Sequence, residues 1–302
     1  MFFKLNKGAF SRLAVVAVIV AALVVVGGVL LWRKPSPRPP EERTPVSIPV
    51  VVKPVKKPVK PPVERPGTVR KPGTVAGRIA IVIDDWGYNN SHCKYLSLMT
   101  ETAGVAILPA LAYSRDIIKC ATQYGKQPML HLPLEPYNSK DLYQKGYVLT
   151  TEMGEASLRK TANKILDEMK GVAGVNNHTG SKGSENELVM ATVLTETRKR
   201  GLFFVDSMTS DRSVGGKVAA RLKMHIARRD VFLDNRNERV YIERQFAETA
   251  QVARVNGYAL AIGHDRALTL QIIIEQMKKL TDQGYEFISP AEYIKKNEYP
   301  RH

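Results

Sequence analysis

Six residues able to bind a metal ion or move protons stand where short apolar runs turn polar. The run 79–83 (IAIVI) meets Asp84-Asp85, and 128–130 meets His131. The run 171–175 meets Asn176-Asn177-His178, 202–205 meets Asp206, and 258–263 meets His264. Adjacent acids after a buried strand point to different sides. One of the pair can ligate an ion while the other stays near the ion-bound water. Asp85, His131 and His178 supply one Asp and two His, the donor set of a catalytic zinc-type site with open positions for water. A cage for a hard cation would want more carboxylates. A divalent metal, zinc foremost, is therefore expected as the cofactor. An imidazole titrates near about 6.5, which suits His264 to protonate a leaving amine at neutral pH.

Other residues near these ends stay open to more than one reading. Asp206 either supports a catalytic group by hydrogen bonding or caps a helix. Asn176 and Asn177 either orient His178 or bind substrate carbonyls. Glu135 follows His131 in MLHLPLEP, where Pro133 and Pro136 forbid a helix, so the two are not an i, i+4 pair. It is read as a ligand, a substrate contact or a solvated loop acid. The amide- and glycine-rich segment 174–184 (GVNNHTGSKGS) fails the phosphate-loop pattern in its spacing and in its Ser-Lys order. Asp234 ends a weaker run, VFLDN, as a neighbour of the set. His92, His225 and His302 have no strand-end setting and read as structural or exposed.

These ends converge only if the runs are parallel strands. Short β-rich runs recur near 79–83, 104–108, 128–131, 172–176, 202–206, 258–262 and 285–288, with a weaker one near 223–227 or 231–233. Between them, 114–124, 155–169, 185–200, 238–255 and 266–280 place apolar residues at three- and four-residue spacing, which predicts helices. Ser184-x-x-Glu187 predicts a capping box. Gly171, Gly201, Gly257 and Gly284 predict helix ends. Such alternation means α/β with a parallel sheet, and so many units suit a closed or nearly closed barrel better than an open sheet. No Gly-x-Gly-x-x-Gly follows a strand, which counts against a dinucleotide site.

The net charge of +16 points towards nucleic acid until it is divided along the chain. Residues 1–78 carry 15 Lys/Arg against 3 Asp/Glu, so the remainder is only mildly basic. No basic helix with interleaved aromatics stands out, and no nucleic-acid partner is expected. The uncharged stretch 13–32 is long enough to cross a bilayer core of roughly 30 Å. It ends in bulky Val29-Leu30-Leu31-Trp32 rather than a small-residue cleavage site, and so reads as an uncleaved transmembrane signal anchor. Residues 1–12 would be cytoplasmic. Residues 33–77 read as a Pro/Lys-rich disordered linker, since 12 of the 18 prolines fall within 35–76. The domain 78–302 would lie on the periplasmic side of the cytoplasmic membrane. Cys93 and Cys120 could pair there, or stay as separate buried thiols.

The segments IAIVIDDWGYN (79–89), MLHLPLEP, GVNNHTGS (174–181), LFFVDSMTSDRSV (202–214), VFLDN and AIGH (261–264) resemble, in order, the divergent polysaccharide deacetylases, distant relatives of the NodB-like carbohydrate esterases. The resemblance implies a distorted (β/α)7 barrel and metal-dependent removal of N-acetyl groups from a glycan. It implies Asp84 as the catalytic base, Asp85 as a metal ligand, His131 as the first metal histidine and His264 as the late-strand catalytic histidine. Two departures stand out. Glu135 occupies the place of the second metal histidine, and Asn176-Asn177-His178 replaces an arginine-containing motif. His178 would restore the missing ligand from a neighbouring strand. The other reading is an envelope module that binds glycan or protein on the same barrel without turnover.

Overall fold

The computed structural model describes residues 75–138 and 146–296. The anchor expected at 13–32 and nearly all of the expected linker fall outside them. No described helix is long and apolar enough to cross a membrane. Nine strands are described: β1 (Gly77–Trp86), β2 (Gly104–Ile107), β3 (Gln127–Leu134), β4 (Gly174–Thr179), β5 (Phe203–Asp206), β6 (Ala227–Arg228), β7 (Val231–Phe232), β8 (Tyr258–His264) and β9 (Tyr285–Phe287). Between and after them lie α1 (Cys93–Leu98), α2 (Ser114–Gln123), α3 (Glu155–Glu168), α4 (Glu187–Lys199), α5 (Gly215–Arg221), α6 (Arg239–Asn256), α7 (Ala267–Asp282) and α8 (Pro290–Lys296).

All the strand pairings are parallel, in the order β6-β5-β4-β3-β2-β1-β8-β7, with β9 beside the start of β1. The sheet curls until its two end strands, consecutive in sequence, are separated only by Arg229-Asp230. The Arg229 N–H donates to the Asp206 carbonyl of β5 at 3.0 Å, and the Asp230 N–H to the Leu260 carbonyl of β8 at 2.8 Å. A dipeptide spans the seam, and no ladder joins β6 to β7 among the described residues. The weak run expected at 223–227 or 231–233 is therefore two strands of two residues each, split by this link.

Side-chain alternation sorts the strands into two cores. Ile79, Ile81 and Ile83 face the surrounding helices, while Ala80 and Val82 face the interior of the curl. Ala106, Met129, Val205, Ala227, Leu260 and Ile262 share that interior. A tight curl leaves little volume inside, and Ala80, Ala106 and Ala227 make room for the larger Met129, Leu260 and Ile262. At Gly174, a Cβ would lie 2.3 Å from the Phe203 ring, so only glycine fits beneath it. Helix α8 closes the amino end of the strands with Tyr293, which is 3% exposed.

The five long helices fall where the periodicity predicts them, within a few residues. The capping box does not form. Asn186 caps α4, its Oδ1 accepting from the Val189 N–H at 3.0 Å, and Ser184 sits in a 3-10 turn. Gly257 ends α6 at φ 84°, as expected of a left-handed cap. A disulfide joins Cys93 of α1 to Cys120 of α2.

Candidate metal centre and acid–base site

The alternation that fills the curl with Ala80, Val82, Met129, Leu260 and Ile262 also aims Asp84, His131 and His264 at its carboxyl-end mouth. Asn176 and His178 follow Gly174 on the same face of β4. Register then sets the neighbours: Asp84 lies opposite His264, His131 opposite Asn176, and Pro133 opposite His178. Alternation alone would turn Asp85 outwards. Its backbone is instead left-handed, φ 67°, where the β1–β2 register slips between Ile83 and Trp86. That bulge brings both acids to one mouth. A left-handed aspartate costs on the order of 1 kcal/mol or more, strain of the kind held at functional sites.

Asp85, His131 and His178 each offer one ligand atom, all within 4.8 Å of one another. Asp85 Oδ1 lies 3.3 Å from His131 Nε2 and 3.1 Å from His178 Nδ1. The two ring nitrogens are 3.1 Å apart. Bonds of about 2.0–2.2 Å in a tetrahedron put ligand atoms roughly 3.3 Å apart, so the spacing fits a small divalent ion. Asp85 Oδ1 is buried with no hydrogen-bond donor, as an oxygen kept for a cation would be. His131 Nδ1 sits 2.9 Å from the Asn176 Oδ1, an acceptor, so it carries the proton and leaves the Nε2 lone pair facing the other ligands. The donor set and its geometry thus fit a metal ion.

Charge balance agrees. Burial raises the Asp85 carboxyl, but His131 and His178 outweigh it and hold the group well below the usual carboxylate range. Burial lowers His131, yet Asp84 and Asp85 carry it above the ordinary histidine value. Burial dominates at Asp84 and raises its carboxyl, against the pull of His131 and His264. Its Oδ2 lies 3.7 Å from His131 Nε2, and its Oδ1 accepts from Asn176 Nδ2 at 2.8 Å.

Opposite the ligands, His264 Nδ1 donates to Asp234 Oδ1 at 2.7 Å, which leaves Nε2 facing the mouth, 4.0 Å from Asp85 Oδ2. Asp234 is fully buried and also accepts from the His264 N–H at 3.0 Å and Thr269 Oγ1 at 2.8 Å. Burial lowers the His264 imidazole, but the bond to Asp234 and the nearby acids raise it to about 9. It is protonated at neutral pH.

The remaining expected residues hold loops. Asn176 is fully buried, with both amide hydrogens committed, to Asp84 and to Ser207 Oγ. Asn177 brackets the end of β5, accepting from the Ser207 N–H at 2.9 Å and donating to Thr209 Oγ1 at 3.2 Å. Glu135 accepts from the Thr151 N–H at 2.6 Å and from Lys182 Nζ at 2.8 Å, so it ties together the loops after β3 and β4. Asp206 accepts from the Met208 N–H at 2.9 Å and Ser213 Oγ at 2.6 Å, which folds the loop before α5.

Two features carry no sequence signal. Arg229, in the seam, donates to the carbonyls of Ser207 and Met208 and lies over the Phe232 ring, which in turn packs against His264. His92 pairs with Asp265 at 2.6 Å, joining the loop after β1 to that after β8.

The sequence profile of the divergent polysaccharide deacetylases matches residues 81–294. An uncharacterized protein of Haemophilus influenzae is 32% identical over 205 residues, 68% of this chain and 72% of that protein. The uncharacterized protein YibQ of Escherichia coli is 29% identical over 206 residues, 68% of this chain and 64% of that protein. Among solved structures, the uncharacterized protein ATU2773 of Agrobacterium tumefaciens superposes with a TM-score of 0.68 at 20% identity, covering 74% of this chain and 91% of that one. It shares the fold.

Proposed function

The chain belongs to the divergent polysaccharide deacetylase family, and on that premise we propose that it is a zinc-dependent hydrolase removing N-acetyl groups from an envelope glycan. The observation that carries this reading is the meeting of Asp85, His131 and His178 within 4.8 Å, beside one buried acid and one protonated imidazole. Asp85, His131 and His178 would hold the ion, whose chemistry is to polarise the acetamide carbonyl and acidify water. Asp84, raised by burial and oriented by Asn176, takes the water proton as the new C–O bond forms at the acetyl carbon. His264 then gives its Nε2 proton to the nitrogen as the C–N bond breaks, releasing acetate and a free amine. Asp234 holds the imidazole in the tautomer that makes this transfer possible.

The same reading anchors the protein in the cytoplasmic membrane through 13–32, with 78–302 on the periplasmic side. The Cys93–Cys120 disulfide supports an oxidising compartment. The test is acetate release from N-acetylated oligosaccharides by the purified full-length chain, with zinc content measured on the same sample. Asp84→Asn should keep stoichiometric zinc and lose roughly 10²–10⁴ of the rate. An unchanged rate in that variant would sink the base assignment. A wild-type chain that stays inert with zinc or cobalt added would favour the binding module.

A further inference from the structure

We infer that Asn176 is a positioning residue that couples the metal ligands to the catalytic base through a single side-chain amide. The inference rests on the reading of Asp85, His131 and His178 as metal ligands. Asn176 is fully buried, and its backbone lies opposite His131 in the β3–β4 ladder. Its Nδ2 donates to Asp84 Oδ1 at 2.8 Å and to Ser207 Oγ at 3.1 Å. A carboxylate only accepts, so this end of the amide must be the nitrogen. The oxygen is then forced to face His131 Nδ1, at 2.9 Å. That ring nitrogen must carry a proton, and Nε2 is left as a lone pair aimed at Asp85 and His178. Flipping the amide would set N–H against N–H and oxygen against carboxylate. One orientation therefore selects the ligand tautomer of His131 and holds Asp84 in place for proton transfer. Ser207 Oγ takes the second amide hydrogen and removes the freedom to rotate.

Two substitutions separate the halves of this role. Asn176→Asp keeps an acceptor for His131 Nδ1–H but loses the donor to Asp84 and sets a like charge beside it. Asn176→Ala loses both. Zinc affinity is read on the full-length protein by competition with a chromophoric chelator, thermal melting on the same samples, and acetate release on an N-acetylated oligosaccharide. Asn176→Ala should bind zinc roughly 10–100-fold more weakly. Asn176→Asp should stay within about threefold of wild type in zinc affinity, yet lose acetate release as fully as Asn176→Ala, because a carboxylate oxygen orients a ligating imidazole as an amide oxygen does.

A structural role alone would lower zinc affinity in both variants in step with their melting temperatures, and that result overturns the inference. Wild-type zinc affinity in Asn176→Ala overturns it as well. A wild-type chain that binds zinc and shows the predicted split in affinity, but releases no acetate, sinks the proposed reaction and leaves the tautomer control of His131 standing. A wild-type chain that binds no zinc overturns the metal reading and this inference together.

Discussion

His264 can act as an acid only while Asp234 keeps it protonated. The imidazole is raised to about 9 in the folded chain, against about 6.5 for a free histidine. Its folded value lies above its unfolded value, so the stability it contributes is fully present below about 6.5 and is lost as pH rises through about 9. A cation beside Asp85 offsets part of the anionic field, so the alkaline limb of activity should lie at or below about 9. Asp234→Asn removes the charge that holds the proton, and the limb should move to lower pH in a pH–rate profile of acetate release. A limb that stays in place would assign it to another group. His264 stands out in the sequence because a fully apolar strand runs straight into it. Asp234 was visible only as the end of a weak run, since its strand is two residues long. Asn176 and Glu135 were visible as polar residues, but their hydrogen-bond partners lie on other strands and loops, and no spacing within the chain reveals them.

The strand ends that carry the site lead into loops that other elements must brace. The loop after β1 runs from the bulged Asp85 to α1, and His92 fixes it to Asp265 on the loop after β8. Burial raises the Asp265 carboxyl to about 6, against the pull of His92. Cys93, the next residue, ties α1 to α2 through a disulfide that spans 27 residues of chain. Closing a loop of that length removes roughly 3–4 kcal/mol of unfolded-state entropy on the chain-entropy account. The Cys93→Ser, Cys120→Ser double variant should therefore unfold at lower denaturant by about that amount. Reductant should lower the wild-type midpoint and leave the double variant unmoved. Equal midpoints for the oxidised and reduced protein would contradict this brace. The long helices were legible because ten or more residues of periodic pattern average out local exceptions, and the main strands because short apolar runs are set off by polar ends. The short helices α1, α5 and α8, of six or seven residues, offer too little pattern. The bulge at Asp85 was not legible either, because an Asp-Asp pair gives no sign of which φ it adopts.

At the scale of the molecule, a curled parallel sheet needs a filled interior, a sealed seam and a stopper at its amino end. Tyr293 of α8 contributes to the last two, since its ring lies in the interior cluster and its hydroxyl donates to Asp230 Oδ2 at 3.1 Å. The same Asp230 oxygen accepts from the Leu260 N–H of β8 at 2.9 Å, so one carboxylate ties stopper, seam and sheet. The alternation of strands and helices points to a closed or nearly closed barrel; the strands are parallel and curled, and no ladder joins β6 to β7 among the described residues. The dipeptide seam was illegible because closure by a two-residue link leaves no hydrophobic run to read. Truncating a buried ring of this size costs about 3–5 kcal/mol, the lost transfer energy plus the cavity. Tyr293→Ala should lower stability by that amount in denaturant titration. The ligands sit at the opposite, carboxyl end of the strands, with Val82 and Ile262 between, and packing defects beyond about 7–10 Å usually act independently. Zinc affinity in the still-folded Tyr293→Ala protein should therefore match wild type. A coupled loss would mean that the barrel transmits strain along its length, so that stopper and metal centre form one cooperative unit.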